Sequence, residues 1–246
     1  MSATPVKPVT AKPFEMFANP DYGNGMYRRR VRLQNIDKRT VLAEMEDDQH
    51  GFRIVLNHDG QAIDAIRVES LRIPMTTCGG ASKVLAQLAG VPLSDSPRSL
   101  AAHSNPRSHC THQFDLLGLA VTHALRDDAT RQYDIAIHDA VDGVQRVVGE
   151  IDGVTVFDWQ LRGHTIETDG IWQNISVQKG FAQWAEQHLP QVQLELALVV
   201  QRGMGLIFVS HDLRLVSTFC DRILVMYAGK VVEELQAGGL AAARHP

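Results

Sequence analysis

The chain has 246 residues, 44% of them hydrophobic and 21% charged, which is enough to bury a sizeable core in one main domain with appendages. A net charge of -4 gives no electrostatic reason to expect nucleic acid as a partner, and no apolar run approaches the roughly eighteen residues of a membrane span. The N-terminus lacks the apolar stretch of a signal peptide, and three cysteines in so long a chain argue against a disulfide framework, so a cytoplasmic protein is expected.

Residues 1–26 are rich in Pro, Ala, Gly and Asn without a period and read as a flexible lead-in. Strands follow at Arg28–Gln34, Thr40–Glu46 and Phe52–Asn57, where apolar and polar residues alternate between the turns Asn35-Ile36-Asp37-Lys38 and Asp47-Asp48-Gln49-His50-Gly51. After His58-Asp59-Gly60, a hairpin signal, Ala62–Ile73 adds a fourth strand to this antiparallel meander. Arginines 28, 29, 30 and 32 form the one basic cluster, and at the start of a strand they are expected to be solvated or paired with carboxylates.

Pro74 ends the meander, and Thr76-Thr77-Cys78-Gly79-Gly80 leads into a helix at Ala81–Ala89. A Pro/Ser/Asn-rich connection precedes a second helix, Gln113–Arg126, with Leu116, Leu117, Ala120, Val121 and Ala124 on one side. A second antiparallel strand group is expected at Gln132–His138, Gln145–Ile151 and Thr155–Arg162, then an amphipathic helix from about Val177 to His188 and an apolar segment, Leu194–Val200, that closes the domain. The fold class is α+β, mostly antiparallel, over residues 27–202.

Three places gather side chains suited to a metal: Asp47-Asp48-Gln49-His50 in a turn, Cys78 at one helix entrance, and His109-Cys110-Thr111-His112 at another. A helix N-terminus supplies partial positive charge and unpaired N–H donors, which favours the thiolate form that binds metal. A set drawn from Asp48, His50, Cys78, His109 and Cys110 offers the mixed S/N/O donors that zinc or ferrous iron accepts. The residues leave a second reading open, in which both cysteines are small buried hydrophobes and the histidines cap helices; His112 is either a cap or a ligand. Asp47, Asp48 and His112 are the candidates for moving protons, and Phe157 and Trp159 either wall a pocket or pack in the core.

The stretches 59–66, Thr77-Cys78-Gly79-Gly80-Ala81-Ser82 and Pro106-Arg107-Ser108-His109-Cys110 resemble the NifU/IscU type of iron–sulfur scaffold protein over residues 40–126. That resemblance implies a strand meander followed by two cysteine-bearing helix entrances, with Cys78 and Cys110 matching two of the family's three cysteine ligands and His109 the neighbouring histidine. The remaining cysteine is replaced here by the Asp48-Gln49-His50 turn, so a single zinc or iron ion is expected in place of a cluster, with an iron–sulfur cluster as the alternative. Residues 27–202, with Glu46-Asp48-His50, Thr77-Cys78 and His109-Cys110-Thr111-His112, also resemble a bacterial domain family of unknown function. Two functions are therefore expected: a metal-dependent enzyme acting on a small molecule, or a non-catalytic module that handles metal and docks onto a protein partner.

From Gly203 the chain changes character. Residues 203–213, with Ser210-His211-Asp212, and 220–234 resemble the C-terminal part of a peptide-importer ABC-transporter ATPase, in which His211 would match the histidine that contacts the γ-phosphate. The chain contains no Gly-x-x-x-x-Gly-Lys-Ser/Thr loop, and Gly79-Gly80-Ala81-Ser82-Lys83 lacks its first glycine and its Lys-Ser/Thr order, so ATP hydrolysis is not expected. Strands at 205–210, 221–226 and 229–234 and a helix at 212–219 would leave apolar faces that invite self-association into a homo-oligomer.

Overall fold

In the computed structural model, which describes residues 25–73, 81–178, 180–204, 222–227 and 230–236, β1 (Met26–Asp37) pairs along both of its edges. On one side it meets β2 (Thr40–Asp47), with Val31 opposite Met45; on the other it meets β5 (Thr130–His138), with Val31 opposite Tyr133. The two strand groups expected from the sequence are thus one antiparallel sheet of eight strands. Its order is β4-β3-β2-β1-β5-β6-β7-β8, with β3 at Gly51–His58, β4 at Ile63–Arg72, β6 at Val144–Ile151, β7 at Val154–Arg162 and β8 at Thr165–Ile166. A period of two tells which side chains share a face but not which strand lies alongside, so this join was not readable from alternation.

The turns follow local chemistry. Asp59 Oδ1 accepts from the backbone N–H groups of Gln61 and Ala62, both at 2.8 Å, and so folds the β3–β4 turn. Asp152 and Gly153 both have positive φ, 51° and 81°, as the tight turn between β6 and β7 demands.

One face of the sheet carries the helices. α1 (Ala81–Leu85) continues as a 3-10 turn over Ala86–Leu88, and α2 (Thr111–His123) lies on β1, β2 and β3 with Leu116, Leu117, Ala120 and Val121 buried. α2 starts two residues before the expected position, with Cys110 as its N-cap, and stops three residues short of Arg126. Gly118 allows its close approach to the preceding loop, because a Cβ there would sit 2.2 Å from the Pro97 carbonyl oxygen. α3 (Phe181–His188) begins only after Gly180, whose φ of +91° stops the helix from reaching back to Val177. The apolar segment 194–200 belongs to a helix, α4 (Gln191–Met204), packed on β5 and β6.

Phe157 stacks on Trp159, while Trp172 and Phe181 meet these rings edge-on or tilted; Trp159 is 1% exposed, so Phe157 and Trp159 are core residues. A second buried feature is polar: Glu195 of α4 accepts from Arg126, just beyond α2, and from Tyr133 of β5. On the opposite face of the sheet, Arg30 pairs with Asp134, Arg53 with Glu44 and Arg72 with Glu46. With Arg29 bound to Asp47, two arginines of the basic cluster of β1, Arg29 and Arg30, are paired with carboxylates.

The chain divides into two compact units, residues 1–204 and 205–246. In the second, β9 (Arg222–Tyr227) and β10 (Lys230–Gln236) form an antiparallel hairpin closed between Tyr227 and Lys230. The lead-in 1–24, the expected strand at 205–210 and helix at 212–219, Cys78, and the histidine and aspartate at 211 and 212 lie outside the described residues.

Candidate functional site

The turn that joins β2 to β3 is built around one carboxylate. Asp47 Oδ1 accepts from the backbone N–H groups of Gln49 (2.9 Å) and His50 (2.7 Å), and the Asp47 N–H donates to the His50 carbonyl at 2.9 Å. The same Oδ1 lies 2.9 Å from His50 Nδ1. Because an ionised carboxylate only accepts, Nδ1 is the nitrogen that donates in this bond. Arg72, at the end of β4, donates to the backbone carbonyls of Asp47 and Asp48 and to the Glu46 carboxylate, which ties the turn to the sheet.

The partners of Oδ2 come from β1. Tyr27 Oη donates at 2.9 Å, and Arg29 donates from Nε at 3.2 Å and Nη2 at 2.8 Å. Burial opposes ionisation of Asp47, but the His50 hydrogen bond and the Arg29 guanidinium outweigh it and hold the carboxyl well below the usual carboxylate range.

α2 brings the second imidazole. His112, in the first turn, lies over His50 with ring centroids 4.0 Å apart, and Phe52 of β3 flanks both rings at 6.0 and 6.3 Å. Burial, then the nearby Arg29 and His50, push the His112 pKa down to about 3, so its ring is neutral and its nitrogens are available. One ligand atom each from Asp47, His50 and His112 fall within 4.8 Å of one another. One helical turn further, Asp115 pairs with Arg202 of α4 at 2.7 Å.

The sequence-derived residues distribute unevenly about this centre. His50 is in it, and His112 stands in it as a ring partner, not as a helix cap. Asp48 contributes its carbonyl to Arg72, whereas the carboxylate beside the imidazoles is Asp47. His109 is turned toward the preceding loop, with Nε2 2.8 Å from Ser104 Oγ and its ring stacked on Phe114 at 4.7 Å. Cys110 is half-buried at the N-cap of α2 and packs against the core. Tyr27 and Arg29 were missed as site residues, although a signal existed: Arg29 and Asp47 occupy paired positions on the inward face of β1 and β2.

No family model matches the chain. Short segments resemble ABC-transporter ATPases: the nickel import ATP-binding protein NikE of Rhodospirillum rubrum is 50% identical over 46 residues, 19% of this chain and 17% of that protein. NikE of Brucella abortus is 44% identical over 61 residues, 24% of this chain and 23% of that protein. The dipeptide transport ATP-binding protein DppD of Escherichia coli is 43% identical over 56 residues, 22% of this chain and 17% of that protein. The chain thus spans less than a quarter of the length of these relatives, and none of the three supports a likeness to the NifU/IscU type.

Proposed function

We propose that the unit ending at Met204 binds a single zinc or iron ion through His50 and His112 and uses it as a metal-dependent enzyme acting on a small molecule. The observation that carries this reading is the close imidazole pair beside Asp47: two nitrogen donors from different elements, His112 held neutral and His50 oriented by a buried carboxylate. Cys110, two residues before His112, and Cys78 are the thiolates proposed to complete the set, with Asp48 as an oxygen donor at the turn. His109, proposed from sequence, would first have to leave Ser104. When bound, such an ion polarises a carbonyl or lowers the pKa of a water molecule. The chain's own part is to hold His50 in one tautomer, to keep His112 neutral, and to shield one side of the pair with Phe52.

A second reading keeps the iron–sulfur alternative. The order β2, β3, β4, α1, α2, with Cys110 at a helix entrance, agrees with what the NifU/IscU resemblance implies, and in that reading the domain is a non-catalytic cluster- or metal-handling module. The ATPase-like matches, 46 to 61 residues long, do not fit within the segment that follows Arg202, so the likeness reaches upstream of the Gly203 boundary expected from sequence; we propose that this segment does not hydrolyse ATP, because the chain carries no phosphate-binding loop.

Equilibrium dialysis of the full chain against Zn²⁺ tests the ligand assignment. His50→Ala and His112→Ala are each expected to abolish tight binding, and Cys110→Ala to weaken it strongly, while His109→Ala leaves it within a few-fold. Full retention of zinc by both His50→Ala and His112→Ala would overturn the assignment.

A further inference from the structure

Asp47 sits among the three residues whose ligand atoms cluster, yet its oxygens are already committed. Oδ1 accepts from two backbone N–H groups and from His50 Nδ1, and Oδ2 accepts from Tyr27 Oη and from two nitrogens of Arg29. A carboxylate offers about four lone-pair directions, and six donors already converge on this one. The side chain is 1% exposed, and the guanidinium 2.8 Å away is 6% exposed, so a cation reaching Asp47 would meet a fixed positive charge at close range.

We infer that Asp47 is not a metal ligand: with Tyr27 and Arg29 it forms a buried relay that fixes His50 and leaves Nε2 as its donor next to His112, so that the site takes a nitrogen-preferring divalent cation and rejects Mg²⁺ and Ca²⁺. Tyr27 and Arg29 are positioning residues acting through Asp47. This deepens, and rests on, the assignment of His50 and His112 as the metal-holding pair. The consequence for selectivity follows from donor type, since Mg²⁺ and Ca²⁺ need several oxygen ligands, whereas imidazole suits zinc, iron, nickel and copper.

The test combines nitrogen-15 NMR of the histidine rings in the metal-free full chain with Zn²⁺ binding in the presence of Mg²⁺ or Ca²⁺. In the wild type, His50 is expected in the Nδ1–H tautomer, and millimolar Mg²⁺ or Ca²⁺ leaves Zn²⁺ bound. Tyr27→Phe and Arg29→Met should mix the tautomer and weaken Zn²⁺ by about 10- to 100-fold, with tryptophan fluorescence unchanged, and Arg29→Lys should recover part of the loss. An Nε2–H tautomer in the wild type, unchanged zinc affinity in both variants, or displacement of Zn²⁺ by Mg²⁺ or Ca²⁺ would each overturn the inference. If Arg29→Met does not fold, Tyr27→Phe carries the same readouts. A wild type that binds no Zn²⁺ would refute the proposed function, whereas the tautomer of His50 alone still decides the relay.

Discussion

His123 is the residue whose perturbation has the most direct magnitude. It lies at the C-terminal end of α2 with 0% exposure, and neither ring nitrogen has a hydrogen-bond partner among the described residues. Burial, then the charge of Arg126, push its pKa from 6.5 down to about 4, with Arg131 adding to the fall and Glu195 and Asp128 opposing it. The unfolded chain takes up this proton near 6.5 and the folded chain does so only near 4, so the contribution is intact above pH 6.5 and is lost as pH falls toward 4. At about 1.4 kcal/mol per pH unit the full loss is about 3 kcal/mol, of which about 2 kcal/mol has gone by pH 5. Urea unfolding read by tryptophan fluorescence is the assay, because Trp159, Trp172 and Trp184 all lie in the first unit. His123→Leu removes the proton acceptor at similar volume, so its stability relative to the wild type should rise by about 2 kcal/mol between pH 8 and pH 5. His112 and His58, also depressed by burial, titrate in both proteins and cancel in that comparison. Parallel pH profiles for the two proteins would refute the reasoning.

Further outcomes follow from the packing. Gly118→Ala forces a methyl against the Pro97 carbonyl, a backbone atom that cannot rotate away, and should cost about 1–3 kcal/mol in the same unfolding assay. Arg126→Met leaves the Glu195 carboxylate buried without its cation and should cost about 3–5 kcal/mol, whereas Arg146→Met, at an exposed pair with Asp158, should leave the unfolding midpoint where it is. The purified full chain should release no phosphate from ATP above buffer, and His211→Ala should leave the first unit's unfolding midpoint unchanged.

Much of the fold was legible because residue type follows a period, even along β2, where both faces are buried. The alternation along β1, β2 and β3 and the 3.6-residue spacing of Leu116, Leu117, Ala120 and Val121 placed four strands and α2 within a few residues of their observed bounds. Leu194–Val200 was ambiguous for the same reason, since nearly every residue is buried and a run that is apolar except for Glu195 has no period to distinguish helix from strand. The pairing of β1 with β5 joins segments about a hundred residues apart, and nothing local encodes it. At the site, the parity of β2 decides between two adjacent aspartates: Asp47 shares the inward face with Met45 and Ala43, and Asp48 begins the turn. His109 and His112 are three residues apart in one motif yet point to different partners, because one precedes the helix and follows the Ser104 loop while the other stands on the first helical turn.

Whether the imidazole pair holds one zinc or iron ion is decided by elemental analysis of the full chain, purified without oxygen and assayed for acid-labile sulfide. Near-stoichiometric zinc or iron without sulfide is expected, with the metal lost in His50→Ala and His112→Ala. Iron with matching sulfide, or metal retained in both variants, would contradict it.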